Sequence, residues 1–347
     1  MPLADSWVTG TLSHGTWFQT SRTVEVVGVA CSLAVQLRNL KVFCDVIDRR
    51  SFSRAAAENG LTQSAVSQCV QQLEELLGTR LVDRSKRPPT PTAEGKCFYD
   101  GCGLLLRQFE TLVDEVQSLG QQLSGRVKVA SIYSVGLSYL PGLVEKFEAL
   151  HPKVQLAFQF AQPEEVYGMV ERGLVDFGLV SYPAPNQSVA CRFWREEPML
   201  LVASPRRQAT RTEDLTADEL KQLAWVGFLP HLRIRQEIDR RLQSMGVTPR
   251  VVAELDNIDS VKHAVAVNTG VAVLPEPTVR SELAAGTLIS LPCRALEMQR
   301  PLGVIYRRGA TLGASARVFM ELAISDAAAE TAVSEAAVEN AGAVAGA

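Results

Sequence analysis

Leu37, Leu40, Phe43 and Ile47 recur at spacings of three and four, which lays one apolar stripe along a helix. Ser51-Phe52-Ser53 then supplies a cap for a short helix over Arg54–Asn59, in which Ala55, Ala56 and Ala57 are small enough for close packing. Gly60 ends that helix as a left-handed C-cap residue does. Thr62 caps the next one, where Val66, Val70, Leu73 and Leu77 form the buried stripe and Gly78 is the stop. Two helices joined by a tight glycine-containing turn make a helix-turn-helix pattern. Further on, Phe98, Cys102, Leu105, Phe109, Leu112, Val116, Leu119 and Leu123 step alternately by four and three, a heptad seam on one long helix over 93–123. Such a seam asks for a partner helix, either from a second chain in a coiled coil or from a bundle within its own chain. Gly120, Ser124 and Gly125 mark a hinge.

From Arg126 the pattern alternates between strand and helix. Val127–Ile132, Val154–Phe160, Phe177–Val180, Met199–Ala203, Ala224–Phe228, Val251–Leu255, Val271–Leu274 and Leu302–Tyr306 read as apolar strands. Tyr139–Leu150, Glu164–Arg172, Leu232–Met245, Ser260–Asn268 and Ala314–Ile324 read as helices among them. This alternation predicts an α/β sheet with crossover helices over 126–324, in one large or two small lobes. Residues 325–347 are a low-complexity Ala/Glu/Val tail. Residues 1–34 lack sustained periodicity and read as a disordered extension or as untranslated, with Val35 then read from a GTG start codon. Val29-Ala30-Cys31 resembles a lipoprotein cleavage box, but Glu25 interrupts the apolar run before it, which argues against export.

The polar face of the second helix carries Gln63, Ser64, Ser67, Gln68 and Gln71, none of them charged. A solvated face usually carries Glu and Lys. Short neutral donors and acceptors suit base edges in the major groove, although a plain polar surface helix remains the alternative. Next, Leu81–Thr92 places two short extended pieces around a basic, proline-stiffened tip, a wing that sets Arg84, Lys86 and Arg87 beside phosphates or the minor groove. Arg54 and Thr90 complete the candidate DNA-contacting set.

Charge adds one point. The chain of 347 residues has a formal net charge of −3, yet residues 36–92 hold nine Lys/Arg against six Asp/Glu. A net of +3 in that window leaves −6 elsewhere, compatible with a small DNA-binding domain on an acidic protein. Seven scattered cysteines with no CxxC argue against disulfides or zinc, and four dispersed histidines give no metal motif. No apolar run reaches the ~20 residues that a membrane span needs. No nucleophile elbow, dinucleotide-binding glycine motif or Walker motif occurs. No catalytic residue, cofactor or metal is assigned, and a cytoplasmic location is expected.

Phe52-Ser53-Arg54-Ala55-Ala56, Thr62–Gln68, Leu73-Glu74, Gly78–Leu81, Arg84 and Thr92–Gly95 closely resemble the DNA-binding half of the LysR-type transcriptional regulators. Leu174–Gly178 and Gly270–Pro275 resemble the family's effector half more loosely. The resemblance implies an all-α winged helix-turn-helix domain over 36–92, a dimerising linker helix over 93–123, and a two-lobed, periplasmic-binding-protein-like α/β effector domain. It also implies double-stranded DNA as partner, a homodimer that commonly becomes a tetramer, and contact with RNA polymerase. Many relatives carry Arg directly after the serine matching Ser67; Gln68 stands there in this chain, so the base preference does not carry over. The rival readings are an enzyme whose catalytic domain lies in 126–325 and a DNA-binding protein without a ligand.

For the effector, strand Val127–Ile132 ends at Tyr133-Ser134-Val135 before an expected turn, Gly136-Leu137-Ser138. Strand Ala224–Phe228 ends just before His231 and another helix. In a two-lobed α/β fold, ligands bind in the crevice at the carboxyl ends of strands. Tyr133, Ser134, Val135, Phe228 and His231 are therefore the candidate effector residues, and helix N-termini there favour a small anion.

Overall fold

The computed structural model describes residues 37–118, 123–207 and 213–328. The expected extension over 1–34 and the tail beyond 328 lie outside the described residues, as do seam residue Leu119 and hinge residue Gly120. The chain divides into two compact units between Arg80 and Leu81.

The described residues of the first unit form three helices: α1 (Leu37–Arg49), α2 (Phe52–Asn59) and α3 (Gln63–Leu77). Ser51 Oγ accepts from Arg54 N at 3.3 Å, and Thr62 Oγ1 accepts from Ala65 N at 3.2 Å. These caps satisfy donors that the first helical turn leaves without a partner. Gly60 and Gly78 close α2 and α3 at φ 61° and 66°, a left-handed conformation that costs glycine nothing. The core takes Leu40, Val42, Phe43 and Val46 from α1, Ala55 and Ala56 from α2, and Val66, Val70 and Leu73 from α3. Leu37 and Leu77, which the periodicity assigns to the buried stripes, are exposed.

The second unit opens with strands β1 (Val82–Asp83) and β2 (Thr90–Pro91), paired antiparallel around the basic tip. Helix α4 (Ala93–Ser118) follows. A Cβ at Gly95 would fall 1.9 Å from Leu81 O, so only glycine lets the first turn of α4 lie against the chain entering β1. On α4, Leu105, Phe109, Leu112 and Val116 are all exposed, whereas Cys102 is buried.

The remaining elements are β3 (Gly125–Ile132), α5 (Tyr133–Leu150), β4 (Val154–Ala161), α6 (Pro163–Glu171), β5 (Phe177–Ser181), β6 (Val189–Ala203), α7 (Ala217–Gln222), β7 (Ala224–Phe228), α8 (Arg233–Ser244), β8 (Arg250–Leu255), α9 (Ile258–Ala266), β9 (Ala272–Pro275), α10 (Glu276–Ala284), β10 (Ile289–Ser290), β11 (Met298–Arg307) and α11, over residues 314–328. One mixed sheet runs in the order β10-β6-β11-β5-β3-β4, with β9 also on β6, and β7 pairs in parallel with β8.

Two hydrophobic cores result. The first gathers Val127, Val129, Phe147, Phe177, Leu302 and Phe319, and the second Leu201, Leu220, Leu242, Val261 and Leu274. Strand β6 gives Val189 and Trp194 to the first and Met199, Leu201 and Val202 to the second. Strand β11 likewise gives Leu302, Val304 and Ile305 to the first, while Met298 packs on the second. These two long strands thus run through both lobes and cross between them near Glu197 and Arg300, which face each other in register.

Several sequence expectations need correction. Helix α5 begins at Tyr133, not Tyr139, and Gly136-Leu137-Ser138 lies inside it. Gly136 is there for packing, since a Cβ would meet Phe160 Cε1 at 2.1 Å. Strand β6 has 15 residues, because its polar half, Val189–Pro198, is hidden from an apolar pattern. Helix α11 continues through 325–328, and Ala327 is buried in the first core, so the low-complexity tail cannot begin at Ser325. Helices α7 and α10 were not foreseen.

Candidate DNA-reading face and inter-lobe cavity

In the first unit, Thr62 fixes the start of α3 and leaves Gln63, Ser64, Gln68 and Gln71 exposed, with Ser67 half-buried. Ser64 Oγ lies 2.9 Å from Thr62 Oγ1, and Gln71 Nε2 donates to Glu75 Oε1 at 2.8 Å. Gln63 and Gln68 are amides free to turn toward a base edge. Arg54 on α2 is exposed. In the second unit, Arg84, Lys86 and Arg87 are exposed on the tip between β1 and β2, with Lys86 Nζ 3.6 Å from Asp83. Thr90 on β2 is half-buried.

Between the two lobes of the second unit lies a cavity of about 1010 Å³. The first turns of five helices line it: Tyr133 and Ser134 on α5, Pro163 and Glu164 on α6, Arg233 and Ile234 on α8, Ile258 and Asp259 on α9, and Pro277 and Thr278 on α10. Phe228, His231 and Arg300 complete the part of the wall that bears on its chemistry. Elsewhere the chain caps its helices with side chains: Ser51 for α2, Thr62 for α3, Thr216 for α7. Around the cavity the N-cap residues are Ile132 for α5, Gln162 for α6, Leu232 for α8 and Pro275 for α10, and none makes a side-chain cap bond. Only α9 is capped there, by Asn257. These uncapped first turns, with the positive ends of their helix dipoles, make the wall receptive to negative charge.

The cavity thus brings together Tyr133, Ser134, Phe228 and His231. It does not include Val135, whose side chain is buried in the first core. Ser134 sits inside the first turn of α5 rather than at its N-cap, and its hydroxyl accepts from Arg300 Nη1 at 3.3 Å.

Arg300 is the residue that sequence reasoning missed. It is 1% exposed, and its Nε donates to Glu197 Oε2 at 2.7 Å. The expected strand, Leu302–Tyr306, began too late in the sequence to include it. The available signal was a charge reversal, with Glu196-Glu197-Pro198 before one core strand and Gln299-Arg300-Pro301 before the other. Arg195 is also buried and stacks its guanidinium 4.2 Å from the Tyr139 ring centroid. Burial, then the negative charge of Glu197, pushes the Tyr139 phenol above its ordinary value, so it stays neutral. Lys262 on the wall is opposed by burial, but its bonds to Glu282 and Asp259 prevail and raise its pKa, keeping it cationic.

Away from the cavity, Arg107 of α4 reaches the first lobe. It donates to Gly173 O, Leu174 O and Asp176 Oδ1 at 3.3, 2.9 and 3.2 Å. The other Asp176 oxygen accepts Lys128 N at 2.7 Å. Burial raises the Asp176 pKa against the opposing pull of Arg107.

A capped helix-turn-helix unit, a basic two-stranded wing and a two-lobed α/β body around a polar cavity define the class of DNA-binding regulators with an effector domain. The comparisons with known proteins agree. The model for the bacterial regulatory helix-turn-helix protein, lysR family, matches residues 37–96, and that for the LysR substrate binding domain matches residues 120–328. The chain belongs to the LysR family of transcription regulators. It is 27% identical to a RuBisCO operon transcriptional regulator from Acidithiobacillus ferrooxidans, over 82% of this chain and 92% of that protein. It is 28% identical to a regulator of the same name from Allochromatium vinosum, over 85% and 97%. The curated relatives are named as transcription regulators rather than enzymes. In fold it resembles a full-length OxyR variant from Pseudomonas aeruginosa, with TM-score 0.65 and 22% identity over 83% and 93% of the chains. It also resembles full-length CbnR complexed with its target DNA, with TM-score 0.61 and 16% identity over 84% and 99%. No helix among the described residues is long and apolar enough to cross a membrane.

Proposed function

We propose that this transcription regulator, acting in the cytoplasm, is switched by a small anionic effector held in the inter-lobe cavity. The observation that carries the reading is that uncapped helix N-termini line the same cavity as a buried arginine, Arg300, which already donates to Ser134. An anion there receives N–H donors from α5 and a charge-assisted bond from Arg300. Binding groups drawn from both lobes favours one closure angle over another, and the ligand shifts the population by its differential affinity for the two.

The DNA-bound form is a dimer through α4. The exposed Leu105, Phe109, Leu112 and Val116 follow the heptad spacing and form the seam. Gln63, Ser64, Ser67, Gln68 and Gln71 read bases, while Arg54, Arg84, Lys86, Arg87 and Thr90 fix the duplex through its backbone.

The test is a calorimetric titration of the full chain with phosphorylated and carboxylated metabolites, repeated with Ser134→Ala, alongside mobility shifts on genomically mapped sites. A metabolite that binds, alters the DNA shift and loses at least tenfold in affinity in Ser134→Ala supports the reading. A metabolite whose affinity is unchanged by that substitution contradicts it.

A further inference from the structure

The other cations on the cavity wall have partners of their own. Arg233 pairs with Glu237, Lys262 with Asp259 and Glu282, and Arg280 with Glu276. Those pairs all keep at least one member in contact with solvent. The pair at the strand crossing differs, because the side chains of Arg300 and Glu197 are 2% and 0% exposed. It is also made through a single carboxylate oxygen. Arg300 Nε donates to Glu197 Oε2 at 2.7 Å, and Nη2 lies 2.6 Å from that same oxygen without hydrogen-bond alignment. Glu197 Oε1 accepts no hydrogen bond. A matched arginine–carboxylate pair uses both oxygens and two parallel N–H groups. This one leaves Nη1 turned to Ser134 Oγ at 3.3 Å, a long contact in the first turn of α5.

Arg300 therefore stands between two acceptors, Glu197 within the strand crossing and whatever occupies the cavity beside Ser134. In a low-dielectric interior, a cation already neutralised offers less to a second anion, and an uncompensated one demands an anion strongly. We infer that Glu197 is a positioning residue that sets the affinity and charge selectivity of the effector site, acting as an internal carboxylate that competes with the ligand for Arg300. The inference rests on the anionic-effector reading above. Glu197 does not line the cavity and reaches the charged end of a ligand through Arg300, to which it is hydrogen-bonded. Its effect is therefore specific to the charged end of a ligand.

The experiment is calorimetry on the full chain with three probes: inorganic phosphate, succinate and, as an uncharged match, succinamide. Removing the internal competitor with Glu197→Gln is expected to tighten phosphate and succinate binding at least tenfold and leave succinamide unchanged. Circular dichroism and a thermal melt check that the variant is folded. Should Glu197→Gln fail to fold, Glu197→Asp draws the carboxylate back by one methylene while keeping its charge; it is expected to tighten both anions severalfold. Unchanged or weaker anion binding in a folded variant overturns the role of Glu197. So does an equal change for succinate and succinamide, which marks a general distortion of the cavity. If the unsubstituted chain binds neither anion, the anionic-effector reading falls and this inference with it. Binding by the unsubstituted chain, with no gain in either variant, removes the competitor role alone.

Discussion

The helix-turn-helix unit and the inter-lobe cavity treat helix N-termini in opposite ways. Ser51 and Thr62 close α2 and α3 with hydroxyls, and their glycine C-caps close the other ends. Around the cavity, α5, α6 and α8 begin at Ile132, Gln162 and Leu232 and leave their first amides without side-chain caps. The first arrangement satisfies the backbone internally and fixes a rigid reading head. The second leaves donors for something that arrives later. Where a fold that caps its helices elsewhere omits the caps around one cavity, the omission points to a ligand.

The contrast can be broken first at Arg300. Arg300→Ala would leave Glu197 buried without the cation it is hydrogen-bonded to, a loss of roughly 3–5 kcal/mol for a broken buried pair. Chemical denaturation should register it, and an effect under 1 kcal/mol would mean that water already reaches the strand crossing. At the reading head, Gln68→Ala should cost about 1–3 kcal/mol of discrimination between the preferred site and single-base variants, if Gln68 makes a well-formed base contact. Competition binding measures this, and unchanged sequence preference would return the polar face of α3 to an ordinary surface. Thr62→Ala should destabilise the fold by about 1 kcal/mol through its lost cap. Gln162→Asp reverses the logic by giving α6 a capping carboxylate, with an expected gain of roughly 0.5–1 kcal/mol in stability and a loss of anion affinity. A gain in stability with no loss of anion binding would separate α6 from the site.

The smallest effect concerns Asp176, which does not line the cavity. Its folded pKa is raised by burial despite Arg107, so just above the ordinary carboxylate range the native state holds more protons than the unfolded chain. Its contribution to stability is fully present below about pH 4 and is lost as pH rises through the folded value. Asp176→Asn should flatten that part of the stability–pH curve, as read by thermal melts at low salt.

Much of the reading head was legible because its signals are local. A cap, a glycine and a four-residue period lie within a few positions of each other, and all of them agree at Ser51, Gly60, Thr62 and Gly78. The cavity was legible only in outline. Ser134 and His231 follow from strand ends, but Arg300 reaches Ser134 across a sequence separation of 166 residues. Gly136 misled because glycine serves both turns and close packing, and only the position of Phe160 distinguishes them. The polar half of β6 was hidden because Arg195 and Glu197 are buried as charges, which no apolar pattern can reveal.

The account stands most directly on where the effector's charge lies. A crystal structure of the full chain with a metabolite identified by calorimetry would answer it. The account predicts a carboxylate or phosphate oxygen within hydrogen-bonding distance of Ser134 Oγ, the Arg300 guanidinium and the first amides of α5. A metabolite bound outside the inter-lobe cavity, or bound inside it with an uncharged end toward Arg300, would contradict it.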